Sequence, residues 1–258
     1  MSSFARVPTV AATVLLFVAS AFAQDPPAAA SATPDESIKT IDAALKERKS
    51  ADEDVRANAD EKAVKAVDQL LMDYKSFDDA GKKKALGAVA DLFSVRTPVD
   101  TENRLYGAAA AFCSDVGDEG VAPLEKALKL KHLEKRLDVQ EILIQSLAKH
   151  KKEKHVDLFL DLLKGDQNRV IVAAVRALGE YRDADGKLRK RIVEGLVKTY
   201  ANVNALDIRE KGKNPVWHER LQEIEVPMNE TLGVLTLQSF QSAPEWEKWF
   251  NDNRSARW

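Results

Sequence analysis

Cysteine is nearly absent. Cys113 is the single one among 258 residues, so no intrachain disulfide can form and stability has to come from packing. Cys113 ends an apolar run that starts at Gly107 and reads as a small core residue, with no histidine near it in sequence to activate a thiol. Histidine is scarce as well. His132, His150, His155 and His218 show neither H-E-x-x-H nor another metal-ligand spacing, and Lys151, Lys152 and Lys154 beside two of them would repel a cation. No metal or cofactor is expected. There is no G-x-G-x-x-G, no P-loop and no G-x-S-x-G, so nucleotide and hydrolase chemistry lack a basis. A strong charge excess is missing too: 39 Lys and Arg against 41 Asp and Glu leave a formal charge of −2, which excludes a strongly basic protein. Beyond residue 23 no apolar run approaches the roughly 20 residues of a membrane-spanning helix.

The first residues read as an export signal. Arg6 supplies a positive start, Val10 to Val18 an apolar stretch, and Ala21-Phe22-Ala23 a small-residue cleavage site, so the mature chain is expected to begin at Gln24 in the periplasm or outside the cell. A retained N-terminal anchor is the alternative. Residues 24–34, rich in Pro and Ala and without a periodic apolar pattern, are expected to form an extended linker.

The chain's organising unit is the stretch from His155 to Tyr181, which has the pattern of two helices joined by a polar turn. Val156, Phe159, Leu160, Leu162 and Leu163 mark the apolar face of a first helix, which Gly165 is expected to end, with Asp166 capping the next. In the second helix Val170, Ala174, Val175 and Leu178 form an inward stripe, while Ile171, Val172, Ala173 and Ala177 leave little polar circumference. Such a helix has to be covered on more than one side, and a hairpin of this kind needs similar neighbours stacked against it. Weaker copies support that reading: Asn103-Arg104 returns at Asn168-Arg169 and Ala108-Ala109 at Ala173-Ala174, both displaced by 65 residues.

Residues 166–179, with Asp166, Val170, Ala174, Arg176, Ala177, Leu178 and Gly179 in order, resemble the second helix of a HEAT repeat. Ile171 stands where those repeats usually carry Arg, which removes the side chain that supports a polar ladder between repeats. The resemblance implies an all-α solenoid that binds partners, with catalysis the exception.

Further hairpins are expected along 35–201, about five in all. Ile38, Ile41 and Leu45 mark a helix capped by Asp35; Val55, Ala59, Ala63 and Val67 its partner; Leu86, Val89 and Leu92 another, followed by 103–113. Leu124 and Leu128 precede a helix over 133–150, and Ile192, Leu196, Val197 and Tyr200 mark one over 186–201. Residues 202–216 read as a loop, 217–226 as a short helix ended by Pro227, and 229–237 as another. In the closing segment Ser242 is the expected N-cap of a helix that carries Trp246, Trp249 and Phe250 at i, i+3 and i+4. These aromatics are expected to cover the open end of the solenoid, the alternative being an exposed platform for a glycan or peptide. Residues 202–258 are thus a loop followed by a capping segment, and Leu232 to Arg254 resembles the closing segment of exported bacterial HEAT-repeat proteins.

Charge distribution offers the remaining functional colour. From Lys126 to His155 nine basic residues face four acidic ones, and Lys187 to Arg191 extend the trend. Equivalent turns of a solenoid line up, so Lys129, Lys131 and Arg136 belong to one edge, and Lys149, Lys151, Lys152, Lys154, Arg189 and Lys190 to the other. Such edges attract acidic partners. Together with Trp246 and Trp249 these are the candidate partner-binding residues. The leading expectation is a non-catalytic exported scaffold for a protein or peptide partner. Binding of an anionic polymer, nucleic acid or an acidic envelope glycan, through the basic turns is the alternative, and a HEAT-like lyase would need paired acidic or cysteine side chains in a cleft.

Overall fold

Five helical hairpins stack side by side in a computed structural model that describes residues 33–50, 52–96, 103–210, 213–256 and 258. The expected signal peptide, 1–23, and all but the last two residues of the expected linker lie outside the described residues. The hairpins pair α1 (Asp35–Glu47) with α2 (Glu53–Asp73), α3 (Asp79–Leu92) with α4 (Arg104–Asp115), and α5 (Val121–Leu128) with α7 (Leu137–Ala148), the short α6 (Lys131–Glu134) lying in the turn of the third. Next come α8 (Lys154–Leu162) with α9 (Asn168–Gly179) and α10 (Gly186–Glu210) with α11 (Pro215–Thr236); α12 (Ala243–Asp252) packs on α10. The second helices form a continuous row in which α2 meets α4, α4 meets α7, α7 meets α9 and α9 meets α11. The chain is therefore an all-α solenoid, as its apolar periodicity predicts.

The composition of α9 explains the row. Ile171, Ala173, Ala174, Val175, Ala177 and Leu178 are all buried, because α7, α8 and α11 cover the helix from three sides. Small side chains at Ala109, Ala110, Ala173 and Ala174 let neighbouring helix axes come close. Gly120 has a local reason of its own: a Cβ there would stand 1.7 Å from the Cys113 carbonyl oxygen, so the turn after α4 closes only on glycine.

Several local expectations are corrected. Pro34, not Asp35, occupies the N-cap position of α1. Helix α8 ends at Leu162, before Gly165, and α9 starts after Gln167 with no side-chain cap, so Asp166 does not cap it. Ile171 is buried where Val170 was expected to point inward, and Val170 is only half-buried. The helix expected over 133–150 is divided into α6 and α7. The loop expected over 202–216 is helical as far as Glu210, because asparagine lowers helix propensity without removing a backbone donor, and Asn202 and Asn204 sit within α10. Pro227 does not end a helix. It lies inside α11, where Ile224 on one side and Met228, Thr231, Leu232 and Leu235 on the other are buried, and that packing outweighs the missing hydrogen bond. Helix α11 stops instead at Leu237, whose φ of 58° is left-handed and whose N–H donates to the Gly233 carbonyl at 2.8 Å.

The capping segment forms as the aromatic spacing predicts. Ser242 occupies the N-cap position of α12, and its hydroxyl donates to Glu245 Oε2 at 2.7 Å, while the same carboxylate accepts from the Gln241 N–H at 3.1 Å. Trp246 is fully buried. Its indole Nε1 donates to Asn229 Oδ1 of α11 at 2.9 Å, and its ring meets Phe240 edge-on at 4.9 Å. Replacing Trp246 by Ala removes this anchor, and urea unfolding followed by circular dichroism is expected to show a loss of about 3–5 kcal/mol.

Candidate functional site

Polar side chains toward the N-terminal ends of the second helices tie the second hairpin to the third, the third to the fourth and the fourth to the fifth. Asn103, before α4, accepts at Oδ1 from Arg136 Nη1 at 2.7 Å and donates to Asp138 of α7. Arg169 Nε of α9 donates to Glu141 Oε2 of α7 at 2.8 Å. On α11 Arg220 donates through Nε to Asn168 Oδ1 at 2.8 Å and through Nη2 to the Asp166 carbonyl at 2.7 Å. An inter-repeat ladder thus exists although Ile171 occupies the position where a HEAT repeat carries its arginine; Arg136, Arg169 and Arg220 supply it from other positions. Arg136 is buried, its guanidinium 5.5 Å over the Tyr106 ring, so this candidate partner-binding residue belongs to the interior of the edge.

The opposite edge, formed by the turns between hairpins, neutralises three of the six basic residues expected there. Lys151 pairs with Asp183 at 3.5 Å, Lys152 with Asp118 at 2.6 Å, and Lys154 with Glu125 at 2.6 Å. Each pair links successive hairpins. Tyr181 adds a hydroxyl bond to the Lys152 carbonyl at 2.9 Å. The Lys152 ammonium holds the Asp118 carboxyl below its ordinary range, and Lys154, then His155, do the same to Glu125 against the effect of partial burial. Arg189 and Lys190 are half-buried on α10, and Lys190 donates to the Arg254 carbonyl. Lys129, Lys131 and Lys149 are the members of the expected set that stay exposed without an ionic partner among the described residues.

The aromatic candidates are not a platform. Trp246 is buried, and Trp249 is half-buried with its ring 6.0 Å from Trp246 and 5.6 Å from Trp258. Both serve to cover the end of the stack. Among the described residues no cluster of three or more His, Cys, Asp or Glu side chains has the geometry of a metal site.

Two surfaces emerge that sequence reading passed over. Helix α11 presents Glu219, Glu223 and Glu230 on one exposed face, interleaved with Val226 and Val234, which are 61% and 44% exposed. Where this face meets α9, a groove of about 260 Å³ is lined by Arg176, Glu180, Arg182, Glu230 and Val234. Reading 217–236 as one helix would have aligned these residues; dividing it at Pro227 concealed them. The second surface is a cleft of about 350 Å³ between α5 and α8, walled by Leu128, Leu158 and Leu162, with Glu125, Lys129, Gln140, Lys154 and His155 around it. It brings together Lys129, at the end of α5 in the third hairpin, and Lys154, at the start of α8 in the fourth, both expected site residues.

Cys113 stays outside all of these. It is fully buried, and burial pushes its thiol up to about 12. Native protein at neutral pH is therefore expected to resist alkylation by iodoacetamide, whereas protein unfolded in urea is modified to completion, as read by mass spectrometry.

No protein-family model matches the chain, and no curated protein matches it. Among solved structures, a designed armadillo repeat protein is similar over 80% of this chain and 88% of its own, with 18% sequence identity and a TM-score of 0.34.

Proposed function

We propose that the protein is an exported, non-catalytic scaffold of HEAT-like repeats that holds a basic, amphipathic segment of a partner protein on the exposed face of its second helices. The observation that carries this reading is the face of α11. Glu219, Glu223 and Glu230 have no ionic partner among the described residues, and Val226 and Val234 stand exposed between them. An acidic row interleaved with aliphatic side chains complements Lys or Arg and apolar residues at helical spacing, and steers such a segment from a distance. The groove beside Arg176 and Glu180 continues the same face onto α9.

The reading that places an anionic polymer on the basic turns has less to support it. Lys151, Lys152 and Lys154 already hold carboxylates, which leaves Lys129, Lys131 and Lys149 as separate charges. The two readings are separated by crosslinking and pull-down from the cell envelope with the full chain. The triple variant Glu219→Lys, Glu223→Lys, Glu230→Lys is expected to lose the protein recovered by the wild type, while Lys129→Gln, Lys131→Gln, Lys149→Gln retains it. The reverse pattern would transfer the site to the turns. Export rests on the first 23 residues, so Edman sequencing of the fractionated protein is expected to begin at Gln24; a chain found in the cytosol with Met1 intact would overturn that part.

A further inference from the structure

The cleft between α5 and α8 has no place in partner binding along the second helices, since it opens on the layer of first helices. It lies where α5, only 8 residues long, and α8, only 9, meet through Glu125 with Lys154 and His155, and α7 closes the space behind them with Gln140. Its wall is aliphatic, from Leu128 of α5 and Leu158 and Leu162 of α8. Its volume, about 350 Å³, is at the lower end of the range for small-molecule sites.

The polar groups around that wall are unevenly satisfied. Glu125 takes Lys154 Nζ at 2.6 Å and His155 Nε2 at 2.8 Å, so its negative charge is spent inside the protein. His155 is itself buried, which holds Glu125 in that arrangement. Gln140 is buried too, and its Nε2 donates to the Leu133 carbonyl at 3.2 Å. Lys129, at the end of α5, has no ionic partner among the described residues and is exposed at the rim. The cleft therefore combines one uncommitted cation with an aliphatic wall. We infer that it is a binding site for a small amphiphilic monocarboxylate of the medium-chain fatty-acid class, with the carboxylate at Lys129 and the alkyl chain laid along Leu128, Leu158 and Leu162. A doubly charged head such as a phosphate monoester has no second free cation to meet it. A cationic head would face Lys129 and Lys154 with Glu125 already paired.

Calorimetric titration of the full chain tests this, using decanoate below its micelle concentration, with decylammonium and butyrate as controls for head and tail. Decanoate is expected to bind saturably with one site per chain, and both controls roughly tenfold more weakly or not at all. Lys129→Gln, a surface change, is expected to weaken decanoate roughly five- to tenfold, and Leu158→Phe to remove binding by filling the cleft, with circular dichroism verifying that each variant is folded. Absence of saturable heat in the wild type would overturn the inference. So would equal binding of decanoate and decylammonium, or an affinity that neither variant changes. The α11 triple variant should bind decanoate as the wild type does, so failure of the proposed partner site and failure of this one are distinguishable.

Discussion

A helix with almost no polar circumference has to be enclosed, and α9 imposes that requirement on everything around it. Its inward residues need α8, and its two flanks need α7 and α11, so the hairpin cannot exist as a separate unit. The same condition applies with less force to α4 and α7, whose buried residues also occupy more than one side. Stacking is thus the source of stability, and the stack in turn needs an end. Trp246 and Phe250 provide it by burying aromatic area against α10 and α11, with Asn229 fixing the indole.

The two edges of the stack share one design with different energetics. On the edge inside the hairpins, Arg136 and Arg220 are buried and bonded to Asn103, Asn168 and the Asp166 carbonyl, so these arginines set the register of one hairpin on the next. On the edge between hairpins the pairs of Lys151, Lys152 and Lys154 are open to solvent and screened by salt, and each contributes little to stability. Their main effect is electrostatic. They convert much of what the sequence presents as a basic strip into a mixed surface, whereas Glu219, Glu223 and Glu230 on α11 keep their charge unpaired among the described residues.

How far the site could be read from the residues depended on whether one helix or several had to be considered. Capping by Trp246 followed from spacing within a single helix, and the structure agrees. The basic edge required knowing which carboxylates stand opposite each lysine, and Asp118, Glu125 and Asp183 lie 34, 29 and 32 residues away from theirs, beyond any local pattern. The polar ladder was missed for the same reason, because Arg220 reaches Asn168 across 52 residues. The α11 face was hidden by a local rule applied too strictly: Pro227 lacks a donor, yet a helix packed between two others tolerates that loss.

By itself the sequence determined the helical class, the hairpin repeat, the apolar rows that must be buried, the aromatic closure and the exclusion of an intrachain disulfide, since all of these follow from residue type and short-range period. Only the tertiary structure decided which charges are spent and which are free, where α10 and α11 end, and that α5 and α8 enclose an aliphatic cleft. Those outcomes depend on pairs of groups far apart in the chain, whose meeting is set by the packing of whole helices and not by any local preference.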